Sequence, residues 1–78
     1  MSRETVYKVL HNHFGNDVDI QDSSHIIDDL NGDEFDIVDL VVQIEEQLSI
    51  TIPEEETFDV QVVSELLEVV ERHNVGTD

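Results

Sequence analysis

Carboxylates supply almost all the chemistry this 78-residue chain could perform: 20 Asp and Glu side chains stand beside four histidines, with no cysteine. Asp29, Asn31 and Asp33 place oxygens at positions 1, 3 and 5 of a calcium loop, but the pattern then breaks. The sixth position, where a sharp turn needs glycine, is Glu34; the eighth, usually apolar, is Asp36; the twelfth, where a bidentate glutamate closes the site, is Leu40. His11 and His13 are two residues apart and diverge on a helix, and neither His25 nor His73 completes an H-E-x-x-H pattern. The histidines therefore read as surface residues, and no metal site is expected. No Ser/His/Asp arrangement or glycine-rich phosphate loop occurs, and no carboxylate pair stands out as a catalytic constellation. The expectation is a non-enzymatic protein with no catalytic residues.

A formal charge of −17, with the only bases at Arg3, Lys8 and Arg72, repels nucleic acid and anionic membranes and speeds encounter with basic protein surfaces. A basic protein partner is the natural inference. Hydrophobic residues make up 38% of the chain and recur periodically, which supports a core rather than disorder. A chain this short buries only about 60% of its unfolded surface, so residues 1–78 are expected to form one modest domain. There is no apolar run of about 18 residues and no basic-then-apolar leader, so the expectation is a cytoplasmic monomer without membrane insertion. Without cysteine, neither disulfides nor thiolate metal sites can contribute.

The elements that must position these groups are helices. Residues 2–14 read as the first, with Ser2 as N-cap and Val6, Val9, Leu10 and Phe14 on one face, ended by Gly15 and Asn16. Residues 16–32 form a long loop, whose Val18, Ile20, Ile26, Ile27 and Leu30 should pin it across the core. A second helix should start at Asp33 as N-cap and run to Leu48, with Ile37, Leu40, Val41, Ile44 and Leu48 facing the core. Phe35, Val38 and Val42 follow a second stripe, which points to a face offered to a partner. Residues 49–53 read as an extended connector, and Pro53 as the first residue of a short helix through Glu54, Glu55 and Glu56. A last helix is expected from Val60 to His73, with Val63, Leu66, Leu67 and Val70 inward and residues 74–78 frayed. The fold class is all-α: a four-helix bundle with a long first loop and a short third helix.

The run from Asp28 to Glu56, DDLNGDEFDIVDLVVQIEEQLSITIPEEE, together with length, acidity and helix layout, resembles the acyl carrier protein family. In that family an Asp-Ser-Leu motif opens the second helix, and its serine carries 4′-phosphopantetheine, whose thiol holds the acyl group as a thioester. The matching triplet here is Asp33-Glu34-Phe35, so the resemblance puts Glu34 where the attachment serine stands. A carboxylate cannot form the stable phosphodiester that a hydroxyl forms; it would give a labile mixed anhydride. No cofactor-binding residue and no 4′-phosphopantetheine are therefore expected at Glu34. Ser23 and Ser24 are the nearest hydroxyls, but they lie in the long loop and lack the following apolar residue; Ser49 and Ser64 are weaker candidates still.

The resemblance also implies a docking surface on the second helix, mapped here to Asp33, Glu34, Phe35, Asp36, Val38, Asp39, Val42, Glu45 and Glu46, facing basic patches of acyl-carrier-dependent enzymes. Glu34 either stands in for the phosphodiester charge or is one of many polar residues acceptable once modification is not needed. The expected function is that of an acyl-carrier-like protein without its attachment serine, acting by docking, in or beside fatty-acid or polyketide-type biosynthesis. Two alternatives are an ordinary carrier whose serine was substituted and a divalent-cation-responsive binding protein.

Overall fold

The computed structural model describes residues 2–74. Four helices follow one another: α1 (Ser2–Phe14), α2 (Glu34–Leu48), α3 (Glu54–Thr57) and α4 (Val63–His73). Among the described residues there is no strand, only an isolated antiparallel bridge between His25 and Val62. This is the all-α bundle with a long first loop and a short third helix that the residue pattern predicts.

The core is aliphatic. Val6, Val9 and Leu10 of α1 meet Ile37, Leu40, Val41 and Ile44 of α2 and Val63, Leu66, Leu67 and Val70 of α4. Val69 joins them, while Phe14 and Leu48 pack against the cluster only partly buried. Ser2 is already helical and so does not act as the N-cap expected of it. Gly15 ends α1 at φ 122, a left-handed conformation that favours glycine, and its N–H donates to the His11 carbonyl at 2.8 Å.

The long loop is pinned, as its apolar spacing predicts, by buried Ile20, Ile26 and Leu30. Ile27 departs from that expectation and is 40% exposed. It follows Ile26, whose side chain is turned fully inward and whose N–H donates to the Gln61 carbonyl at 2.9 Å. Gly32 closes the loop by donating to the Ile26 carbonyl at 3.0 Å. A Cβ there would stand 3.1 Å from the Phe14 ring and 3.2 Å from that carbonyl, so the close approach itself favours glycine.

The fourth helix starts three residues later than the apolar pattern suggests, because Val60 is held by Thr57 of α3 and Gln61 and Val62 are engaged with the loop. Ser24 and Asp22 carbonyls accept from the N–H groups of Val63 and Ser64 at 3.0 and 2.9 Å, satisfying donors at the helix start. Glu65 reaches back to the N–H groups of Gln61 and Val62, both at 2.9 Å. This is half of a capping box, since Val62 has no side-chain acceptor to complete the other half. The two backbone hydrogen bonds hold the Glu65 carboxyl below its ordinary value. Pro53 also sits one position earlier than expected, as the residue before α3 rather than its first. At the other end of α4, Asn74 is buried rather than frayed, and residues 75–78 lie outside the described residues.

Candidate functional site

Asp33 and Asp36 set the start of α2. Asp33 caps the helix by accepting from the Asp36 N–H at 3.0 Å, and Asp36 returns the contact by accepting from the Asp33 N–H at 2.8 Å. This reciprocal pair is a capping box with aspartate in both places. Glu34 is the first helical residue and is exposed, so its charge stands where the N-terminal end of the helix dipole favours an anion. No hydroxyl occurs in the Asp33-Glu34-Phe35 segment.

The nine residues proposed for docking do not form one uniform surface. Glu34, Phe35 and Val38 line a groove between α2 and α3 of about 550 Å³, whose other walls include Ile27, Glu54 and Phe58. Phe35 and Phe58 are 75% and 69% exposed, Val38 is 39% and Val42 is 43%. Val42 lies one turn beyond Val38, and Glu46 is exposed one turn further. The second apolar stripe of α2 is thus an outward face.

Asp36 and Asp39 instead meet α1. His13 Nε2 lies 2.8 Å from Asp36, and its Nδ1 lies 3.6 Å from Asp39, so the ring joins the end of α1 to the start of α2. The His13 contact, with the Asp33 backbone donor second, holds the Asp36 carboxyl below its ordinary value. Glu45 accepts from the Ile52 N–H at 2.8 Å and fastens the connector to α2. Asp36 and Glu45 are therefore already occupied by the fold, Asp39 partly so, and the outward set reduces to Glu34, Phe35, Val38, Val42 and Glu46.

The histidines are less peripheral than their spacing suggests. Each of the four is partly buried, and three engage carboxylates: His13 as above, His25 with Asp28 at 3.8 Å, and His73 with Glu56 at 2.6 Å. Glu56 also accepts from Arg72, which ties α3 to α4. In the chain such pairs are 3 to 26 residues apart and carry no local signal. Ile27, Glu54 and Phe58 are likewise groove residues that helical periodicity does not single out. The one usable signal was Phe58, a large aromatic beyond the end of a four-residue acidic helix.

Two of the three side chains that suggest a calcium loop are used internally. Asp29 accepts from the His25 N–H at 2.7 Å, and Asp33 caps α2. No group of three or more His, Asp or Glu side chains among the described residues is arranged to hold a metal ion. No helix among them is long and apolar enough to cross a membrane.

Residues 4–70 match the family model described as the phosphopantetheine attachment site. The chain is 38% identical over 53 residues to an acyl carrier protein of Helicobacter hepaticus, covering 68% of this chain and 70% of that protein. It is 33% identical over 54 residues to an acyl carrier protein of Brachyspira hyodysenteriae, covering 69% of each. The family group is phosphopantetheine, and the start of α2 does not fit its covalent attachment: Asp33 and Glu34 offer carboxylates, which cannot form a phosphodiester. Elsewhere, Ser24 Oγ accepts from the Gln21 N–H at 2.9 Å inside the long loop, and Ser49 sits at the far end of α2. By family model and by relatives, the chain belongs to the acyl carrier protein family.

Proposed function

We propose that this protein is a carrier-family member that bears no 4′-phosphopantetheine and works by presenting the acidic, apolar outer face of α2 to basic surfaces of partner proteins. The observation that carries the reading is Glu34: the first residue of α2 has a carboxylate where attachment needs a hydroxyl. The charge of −17 supports the basic partner, since complementary potentials steer encounter and select orientation. The contact residues proposed are Glu34, Phe35, Val38, Val42 and Glu46, with Asp33, Asp36, Asp39 and Glu45 shaping the helix start, its join to α1 and the connector while adding to the field. Partners of this kind include acyl-carrier-dependent enzymes of fatty-acid or polyketide-type biosynthesis. The protein itself acts as a cytoplasmic, monomeric, non-enzymatic binding module.

A second reading is favoured by the surroundings of Glu34: the Asp33–Asp36 capping box orders the helix start, and the α2–α3 groove opens beside it. On this reading the chain is an ordinary carrier altered at one position. Incubation of the protein and its Glu34→Ser variant with coenzyme A and a broad-specificity phosphopantetheinyl transferase tests both. The first reading predicts no mass change in the unaltered chain, and an adduct on it overturns that reading. Stoichiometric loading of Glu34→Ser supports the second reading, whereas no loading shows that the transferase-recognition surface is also lost.

A further inference from the structure

His13 is the last residue but one of α1, and both of its ring nitrogens face carboxylates of α2. Nε2 lies 2.8 Å from Asp36 Oδ1, within hydrogen-bond reach, whereas Nδ1 lies 3.6 Å from Asp39 Oδ2, an ion-pair distance. The side chain is only 20% exposed, and the Phe14 ring stands edge-on to it at 4.8 Å. Among the described residues no ion pair joins His13 to the long loop, α3 or α4. His11, the neighbouring imidazole on α1, is directed instead to the Gly15 carbonyl at 3.3 Å.

The protonation of the ring decides how many of the two contacts attract. A neutral imidazole carries one N–H; donated to Asp36, it leaves the Nδ1 lone pair turned towards the Asp39 oxygen. The imidazolium has an N–H on each nitrogen and a positive charge, so both carboxylates are attracted. Histidine is the side chain that makes this change between about pH 5 and pH 8. Asp36, held below its ordinary value, stays ionised across that range.

The effect reaches the start of α2. Asp36 presents Oδ1 to His13 and Oδ2 to the Asp33 N–H at 2.8 Å, so one carboxylate serves both the contact with α1 and the capping box. Glu34 follows directly on that box.

We propose that His13 is a proton-operated latch between α1 and α2. Its imidazolium draws Asp36 and Asp39 together and braces the capping box beside Glu34, and its neutral ring keeps Asp36 alone. The latch goes beyond the docking reading and does not depend on it.

The test is urea unfolding of the full chain and its His13→Gln variant at about pH 5.5 and about pH 8, in about 0.2 M sodium chloride to screen the general repulsion. Glutamine can donate to a carboxylate but cannot become charged. The folding constant of the unaltered chain relative to the variant should be about two- to fivefold larger at the lower pH, and this advantage should be lost as pH rises through the titration of His13. In an Asp39→Asn background the same ratio should vary little with pH. Asp39→Asn alone should weaken the chain more at about pH 5.5 than at about pH 8, which keeps the test open if His13→Gln does not fold. In the unaltered chain the amide signals of Asp33 and Asp36 should titrate together with the His13 ring signals. A ratio that is equal at both pH values, or larger at the higher one, overturns the latch. Asp33 and Asp36 amides that do not follow the His13 ring overturn its link to the capping box.

Discussion

At the scale of single residues, the start of α2 separates structural carboxylates from available ones. Asp33 caps the helix, so Asp33→Ala should cost about 1 kcal/mol, seen as a fall in melting temperature of about 4–8 °C. Glu34 makes no cap, and Glu34→Ser should leave the melting temperature within a degree or two while changing what the residue can carry. Acid sensitivity follows from three other carboxyls. Asp22 is held below its ordinary value first by Arg3 and then by Tyr7, Asp36 first by His13, and Glu65 by the N–H groups of Gln61 and Val62. Burial, followed by the bond to Asp22, pushes the Tyr7 hydroxyl up to about 12, so it stays a donor. Because the folded state releases the three carboxyl protons more readily than the unfolded chain, their stabilisation is complete above the ordinary values of 3.8 and 4.5. It is lost as pH falls through the lower folded values. Urea midpoints from about pH 6 down to about pH 3 should therefore converge for Glu65→Gln and the unaltered chain, the variant being weaker only at the upper end. A constant gap would contradict this assignment. The Asp33 cap was legible in the sequence because capping is local; the His13–Asp36 contact was not, because it joins residues 23 positions apart.

At the scale of elements, the long loop behaves as part of the core and as a cap for α4. Ile26 is fully buried, while its own backbone and that of Ser24 and Asp22 occupy donors and acceptors around the start of α4. Ile26→Ala should cost about 2–5 kcal/mol, enough to threaten folding in a domain this small. Phe58→Ala, at a ring 69% exposed, should change stability by less than about 0.5 kcal/mol. Equal losses in denaturant unfolding would mean that Phe58 belongs to the core rather than to an open groove. The helical period made α1, α2 and the inner face of α4 legible in advance, since Val6, Leu40 and Leu66 recur on faces that need only local counting. The start of α4 was not legible: Val60 is apolar and in phase with the helix, yet its N–H donates to Thr57, and Gln61 and Val62 are held by a loop more than 30 positions earlier. Ile27 misled for a related reason: Ile26 and Ile27 begin a turn closed by the Asp29 and Leu30 N–H groups on the His25 carbonyl, and only Ile26 is carried inward by it.

At the scale of the molecule, a charge of −17 is crowded onto a body with a radius of gyration of 11.4 Å. That radius is close to the Debye length of about 10 Å at 0.1 M salt, so repulsion reaches across the fold at low ionic strength and is screened above it. The melting temperature should rise between about 20 mM and about 200 mM sodium chloride, and further with millimolar magnesium. A flat response would contradict the crowded-charge picture. The acidity was legible from composition, and the family from the run Asp28–Glu56; the groove was not, because it needs α2, α3 and Ile27 of the loop brought side by side. The same placement makes Glu34 the pivot of the account, at once the first residue of α2 and a wall of the α2–α3 groove. The most direct test is the intact mass of the protein isolated from the cells that naturally make it. The account predicts the mass of the bare polypeptide, and a phosphopantetheinyl group on any of its residues would contradict it.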